Sequence, residues 1–231
     1  MSAFLKKIIV TLLRRPASRH LELLQLSLKT APADPFILFK EWFDLALQVD
    51  PEWANVLTLS TASNAAVPSN RVVLLKAHDD RGFVFYTNYN SRKAVELEEN
   101  PRASMVFWWK DLYRQVRIEG TIKKVSEAES DTYFQSRGRG SRIGAWASKQ
   151  STTIADRAAL AARVTQVENQ YKGTTVPRPP FWGGYRLTPL VIEFWQARDD
   201  RLHDRLRYRR ETPPATDANA PSKWHLERLS P

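Results

Sequence analysis

Residues 71–87 carry two apolar runs of strand length around a four-residue turn, a spacing that commits this stretch to an antiparallel hairpin. Arg71-Val72-Val73-Leu74-Leu75-Lys76 reads as a buried strand, Asp79-Asp80-Arg81-Gly82 as the turn, and Phe83-Val84-Phe85-Tyr86-Thr87 as the partner strand. Asn90 and Ser91 then precede Arg92 to Glu99, a helix stopped by Asn100-Pro101. The unpaired N–H groups at such a helix start, with Arg92 and Lys93 beside them, favour an anion. On these residues alone the anion is any phosphorylated ligand.

The rest of the chain extends the same pattern. Asp34-Pro35 supplies an N-cap and first-turn proline for a helix through about Gln48, with Phe36, Phe39, Trp42, Phe43 and Ala46 on its apolar face. Further strands are expected at Val56–Leu59, Ser104–Trp108 and Tyr113–Lys124, the last with a bulge at Gly120. Ser126-Glu127-Ala128-Glu129 has capping-box spacing and opens a helix through Tyr133-Phe134. Arg137-Gly138-Arg139-Gly140-Ser141 reads as a flexible basic loop. A helix is expected over Ile154–Tyr171, then late strands at Leu190–Trp195 and Leu202–Tyr208, and a Pro/Ala-rich loop at 212–222 before Trp224–Pro231. Hairpins followed by helices, without βαβ alternation, give a mainly β, antiparallel barrel or sheet with flanking helices. No Gly-rich strand-to-helix turn supports a Rossmann fold.

With 231 residues and 42% hydrophobic content, the chain can bury a sizeable core. It has no cysteine, which excludes disulfides, thiolate metal sites and thiol catalysis and suits a reducing cytoplasm. A formal net charge of +10 attracts anions without choosing among nucleic acid, acidic lipid and phosphorylated metabolites. Most of the eight tryptophans lie in apolar runs such as Phe107-Trp108-Trp109, where core packing is expected. Phe4, Leu5, Ile8, Ile9, Leu12 and Leu13 suggest a short amphipathic N-terminal helix, too interrupted to span a membrane.

The hairpin motifs, followed in order by Arg114-Gln115-Val116, Tyr133-Phe134-Gln135-Ser136-Arg137, Ser141 to Trp146, Ser148-Lys149-Gln150-Ser151, Phe181-Trp182-Gly183-Gly184, Ile192 to Gln196, Arg201-Leu202-His203-Asp204-Arg205 and Arg228-Leu229-Ser230-Pro231, resemble the pyridoxamine 5′-phosphate oxidase family from about Pro32 to the end. That resemblance implies an FMN-binding split β-barrel over 34–231, preceded by a helical arm over 1–33, working as a homodimer with FMN at the subunit interface. It implies oxidation of pyridoxamine or pyridoxine 5′-phosphate to pyridoxal 5′-phosphate by dioxygen, with hydrogen peroxide released. No nucleic-acid, membrane or metal role is expected.

Carried over position by position, the resemblance assigns Arg71, Val72, Val73, Leu74, Lys76, Tyr86, Thr87, Ser91, Arg92, Lys93, Gln115, Gln150, Ser151, Trp195 and Arg205 to FMN. It assigns Lys76, Tyr133, Arg137, Ser141, Arg201, Leu202 and His203 to the substrate, with Arg201 and His203 catalytic. These residue types suit the task. Arg offers a planar fork and Lys a movable charge for a phosphate dianion. A cation such as Arg205 stabilises negative charge gathering on a reduced ring, and a histidine positions the substrate amine or alcohol or takes its proton. Period-two alternation would put Arg201, His203 and Arg205 on one strand face. The family's arm carries an Arg-Arg-x-Tyr-like element, whereas Arg14-Arg15-Pro16-Ala17 lacks the aromatic, which leaves closure over the substrate open.

Overall fold

Asp34 caps the first helix as its sequence implies: its carboxylate accepts the Phe36 N–H at 2.9 Å, and Pro35 opens α1 (Pro35–Val49). The computed structural model describes residues 26–211 and 223–231, so the N-terminal helix, the Arg14–Ala17 arm and the 212–222 loop lie outside the described residues.

Among the described residues, nine antiparallel strands form one sheet. β1 (Val56–Ala62), β2 (Pro68–Leu74), β3 (Ala77–Asp79), β4 (Gly82–Asn88), β5 (Arg102–Trp109), β6 (Arg114–Lys124) and β7 (Trp182–Gln196) follow the order β2-β1-β5-β6-β7-β4-β3. β8 (Asp204–Arg210) pairs with β7 and β9 (Trp224–Arg228) with β8. β2 and β3 stand at opposite ends of this order yet are joined by only Leu75 and Lys76. The sheet must therefore curl until its ends meet. At the join, Leu75 N–H donates to Asn55 O and Lys76 N–H to Val84 O, both at 2.8 Å, so consecutive residues bond to the two edges of a split barrel.

This closure corrects the expected hairpin. The Asp79–Gly82 turn links β4 to the three-residue β3, while Arg71–Leu74 belongs to β2 and pairs with β1. β2 is not buried: its side chains alternate between exposed and half-buried, and Val72 is 64% exposed. β4 is the buried strand.

Inward-facing Leu57, Leu59, Phe85, Met105, Phe107, Ile118, Leu187, Ile192 and Phe194 fill the barrel. α1 packs against this core, its Phe39 ring 4.8 Å from Phe83 and 5.4 Å from Phe107, and Trp42 5.2 Å from Phe194. Burying each such side chain stabilises the fold by roughly 1.5–3 kcal/mol. The strand register shifts at Glu119/Gly120, where a Cβ on Gly120 would stand 2.1 Å from Thr188 O, so the expected bulge is present for a steric reason. Among the tryptophans, Trp42, Trp109 and Trp182 are buried, but Trp108 and Trp53 are exposed.

Four helices decorate the barrel after β4: α2 (Arg92–Glu99), α3 (Glu127–Ser136), α4 (Arg139–Ala147) and α5 (Arg157–Gln170). The capping box at Ser126/Glu129 is formed in full. The stretch expected as a loop at Arg137–Ser141 is mostly helix: Gly138 is the N-cap of α4, and Arg139 donates to the carbonyls of Tyr171 and Thr174. The helix expected from Ile154 begins at Arg157, after the Asp156 cap. The late strand expected at Leu202 begins at Asp204, which leaves Leu202 and His203 in the preceding turn.

Candidate active site

A cavity of about 960 Å³ opens where the two barrel edges meet. Arg71 to Leu74 of β2 and Lys76 form one wall, Tyr86 and Thr87 of β4 another, Arg92 and Lys93 of α2 a third, and Tyr133, Arg137, Ser141, Gln150 and Ser151 close it. Ser91, also expected here, is fully buried behind the wall as the N-cap of α2, and its hydroxyl donates to Asn88 O at 2.7 Å.

Two guanidiniums and an ammonium share this end of the cavity with one carboxylate. Glu96 is buried and accepts hydrogen bonds from Ser69 Oγ (2.6 Å), Thr61 Oγ1, Arg92 Nε (2.8 Å) and Arg71 Nη2 (3.3 Å). Burial pushes its carboxyl up, but the bonds from Ser69, Thr61 and Arg92 outweigh that and hold its pKa at about 2. Lys93 is also buried, and its ammonium donates to Thr87 Oγ1 (3.2 Å) and Ser91 Oγ (3.3 Å). Desolvation, then repulsion from Arg71, brings Lys93 down to about 8 despite attraction from Glu96. Three cations against one anion leave a surplus that matches a phosphate dianion at the start of α2. The donor set therefore fits the FMN phosphate. Glu96, the hub of the cluster, is absent from the sequence reading, because a glutamate four residues after an arginine reads as an exposed helix pair.

At the other end the cavity is aromatic. Tyr86 and Tyr133 stack with centroids 3.9 Å apart, and Trp182 lies parallel to both at 5.6 and 6.2 Å. Gly184 makes room for this, since a Cβ there would meet the Tyr86 ring at 2.8 Å. The Arg137 guanidinium rests over Trp182, 4.7 Å from the centroid, and its buried Nη1 has no hydrogen-bond partner. Thr87 Oγ1 donates to Gln150 Oε1 at 3.3 Å, and Ser151 holds a left-handed φ of 69°. All the expected residues of the hairpin, α2, α3 and α4 thus converge.

The remaining expected residues gather elsewhere. Gln115, Trp195 and Arg205 occupy one cross-strand row over β6, β7 and β8, which Trp108 extends on β5. Trp195 packs on Trp108 (6.0 Å) and on His203 (4.5 Å). None of Gln115, Trp195, Arg201, Leu202, His203 or Arg205 lines the cavity. From Trp182 at the cavity to Trp195 is thirteen residues of β7, or about 40 Å of strand.

Arg201, His203 and Arg205 do not share a strand face as alternation implied. Arg201 ends a short 3₁₀ turn, and both it and Asp200 adopt left-handed backbone, with φ of 61° and 52°. This costly conformation is braced by buried Asp204, which accepts from Arg198 Nε at 2.6 Å and from Arg228 Nη2. The Arg198 N–H donates to His203 Nδ1 at 3.1 Å, so the neutral imidazole carries its proton on Nε2 and offers a donor there. Arg205 pairs with buried Glu193 at 2.8 Å and donates to Ser230 O at 2.9 Å.

Comparison with known proteins identifies the family. Residues 50–171 match the family model described as pyridoxamine 5′-phosphate oxidase, and residues 182–231 match the pyridoxine 5′-phosphate oxidase C-terminal dimerisation region. The pyridoxine/pyridoxamine 5′-phosphate oxidase of Acaryochloris marina is 51% identical over 199 residues, 86% of this chain and 87% of the relative. That of Burkholderia thailandensis is 53% identical over 198 residues, 86% and 89% of the two chains. Among solved structures, PhzG from Burkholderia lata in complex with tetrahydrophenazine-1-carboxylic acid superposes with a TM-score of 0.79 at 34% identity, over 90% of this chain and 98% of that one. A pyridoxamine 5′-phosphate oxidase-related, FMN-binding protein from Nostoc punctiforme shares the fold, with a TM-score of 0.65 at 19% identity over 89% and 100% of the chains. The chain belongs to the pyridoxamine 5′-phosphate oxidase family.

Proposed function

We propose that this protein oxidises pyridoxine 5′-phosphate or pyridoxamine 5′-phosphate to pyridoxal 5′-phosphate, as a cytoplasmic homodimer holding FMN at each subunit interface. The carrying observation is the division of the expected residues: a cation-rich cavity in one chain, and a cross-strand row of Gln115, Trp195 and Arg205 that does not line it. A two-fold dimer resolves the division by setting the row of one copy over the cavity of the other. The dimerisation region over 182–231 contains Trp195, His203 and Arg205. No helix among the described residues is long and apolar enough to cross a membrane.

Arg71, Arg92 and Lys93 would hold the FMN phosphate, with Ser91 and Thr87 orienting Lys93. When bound there, FMN would supply the two-electron acceptor that dioxygen reoxidises. Arg137, with Lys76, Tyr133 and Ser141, would receive the substrate phosphate; these four side chains line the cavity, and no carboxylate among the described residues pairs with Arg137. His203 Nε2–H donates a hydrogen bond to an oxygen of the substrate rather than taking a proton from it. Arg201 would face the pyridine ring from the same braced turn. The alcohol substrate gives aldehyde and peroxide; the amine also consumes one water and releases ammonia.

The test is turnover by purified, FMN-loaded protein. Either vitamer should yield pyridoxal 5′-phosphate and hydrogen peroxide in equal amounts, whereas FMN-loaded protein that converts neither would refute the assignment. PhzG, which shares the fold and was solved in complex with tetrahydrophenazine-1-carboxylic acid, suggests a second reading, a flavin enzyme of this fold acting on a different substrate. The donors gathered at that end of the cavity, Arg137 with Lys76, Tyr133 and Ser141, suit a phosphate dianion better than a single carboxylate and favour a phosphorylated substrate.

A further inference from the structure

We propose that Trp182 is a positioning residue for the substrate phosphate: its indole is the shelf on which the cavity-lining Arg137 is held with its hydrogen-bond donors unspent. The inference rests on the function proposed above and deepens it.

Arg137 sits between α3 and α4, a position from which an arginine ordinarily swings into solvent. Its guanidinium instead lies 4.7 Å from the Trp182 centroid and 5.6 Å from that of Phe134, while no carboxylate pairs with it among the described residues. The nearest helix acid, Asp131, is taken by Arg178, which also donates to Trp182 O at 2.8 Å and so fixes the start of β7. A cation held by ring faces rather than by a carboxylate keeps its hydrogen-bond donors unspent. Nη1 is buried without a partner, and the Arg137 side chain lines the cavity.

Trp182 is 6% exposed and cannot turn away, because Phe134 packs edge-on against it at 5.0 Å and Tyr86 and Tyr133 continue its stack. The shelf therefore joins three residues that the family resemblance divides between cofactor and substrate. Its role differs from theirs: Trp182 reaches the ligand through Arg137. Loss of the indole should weaken capture of the phosphate and leave FMN binding, which depends on α2, in place.

The experiment uses FMN-loaded dimer, with KM measured for pyridoxine 5′-phosphate in wild type, Trp182→Phe, Trp182→Leu, Arg137→Ala and the double variant Trp182→Leu/Arg137→Ala. Trp182→Leu should raise KM about tenfold and Trp182→Phe about threefold, with kcat changed less than about twofold, since the contact is made equally before and during reaction. In the Arg137→Ala background, Trp182→Leu should add less than about twofold, because the interaction it removes is already gone. The FMN dissociation constant should stay within about twofold throughout. An unchanged KM in Trp182→Leu, or an equal rise with and without Arg137, would overturn the proposal. If Trp182→Leu does not fold, Trp182→Phe in the two backgrounds makes the same comparison with the smaller change. A wild-type protein that turns over neither vitamer would instead refute the function on which the proposal stands.

Discussion

At the scale of single residues, the site is governed by how few anions it holds. Lys93 is charged at a cost while buried, and its pKa near 8 lies below the free value of 10.5. Without ligand that cost is present below pH 8 and relieved as pH rises toward 10.5, so this group makes the apoprotein relatively more stable in alkali. A phosphate dianion reverses the preference, because it needs the ammonium. Lys93 faces Arg71 on β2 and Glu96 on its own helix, with Thr87 on β4. The FMN dissociation constant, measured by flavin fluorescence, should rise above pH 8 by up to about tenfold per pH unit, and Lys93→Ala should weaken binding and abolish the slope. Glu96 behaves oppositely. Its depressed pKa contributes stability above about 4.5 that is lost as pH falls toward 2. Glu96→Ala should cost about 2–3 kcal/mol at neutral pH by leaving Arg71 and two hydroxyls short of an acceptor, and the gap to wild type in thermal melts should close between pH 4.5 and 2. The cations were legible in the sequence because phosphate chemistry demands them. Glu96 and Trp182 were not, since each matters through a neighbour brought from another element.

At the scale of elements, local signals located most strands and caps but not their surroundings. Asp34-Pro35, the Ser126 capping box and the Gly120 bulge work through backbone chemistry within a few residues, and each appears where the sequence puts it. The β2 strand was misjudged as buried because an apolar run shows only that something covers it, and Val72 and Leu74 have no cover within their own chain. Glycines at 138 and 140 suggested a loop, yet Gly138 serves as an N-cap and Gly140 is carried inside α4 by the packing of Ile143 and Ala147. The turn before β8 defeated period-two reasoning because two successive residues are left-handed there, a state that tertiary bracing enforces. Asp204→Ala should release that brace and lower kcat/KM by about tenfold or more with FMN affinity retained, as steady-state kinetics and flavin titration will show. Gly120→Ala forces a Cβ against Thr188 O and should lower Tm by about 5 °C in calorimetry with the site chemistry unchanged.

At the scale of the whole molecule, the sheet order brings the two ends of the barrel together at Leu75-Lys76 and opens the cavity on that seam. Trp195 and Arg205 lie on a cross-strand row that does not line this cavity, and in the proposed dimer a second copy brings that row to it. That division could not be read from residue order, which gives motifs without saying which chain supplies them. Purified heterodimers put it to the most direct test. One chain carries Arg92→Ala with Lys93→Ala, and its differently tagged partner carries His203→Ala with Arg205→Ala. Each variant homodimer should be inactive, and the heterodimer should regain about half the wild-type rate of pyridoxal 5′-phosphate formation, because one of its two sites draws only on intact residues. A heterodimer as inactive as either parent would show that each site is built within a single chain and would contradict the account.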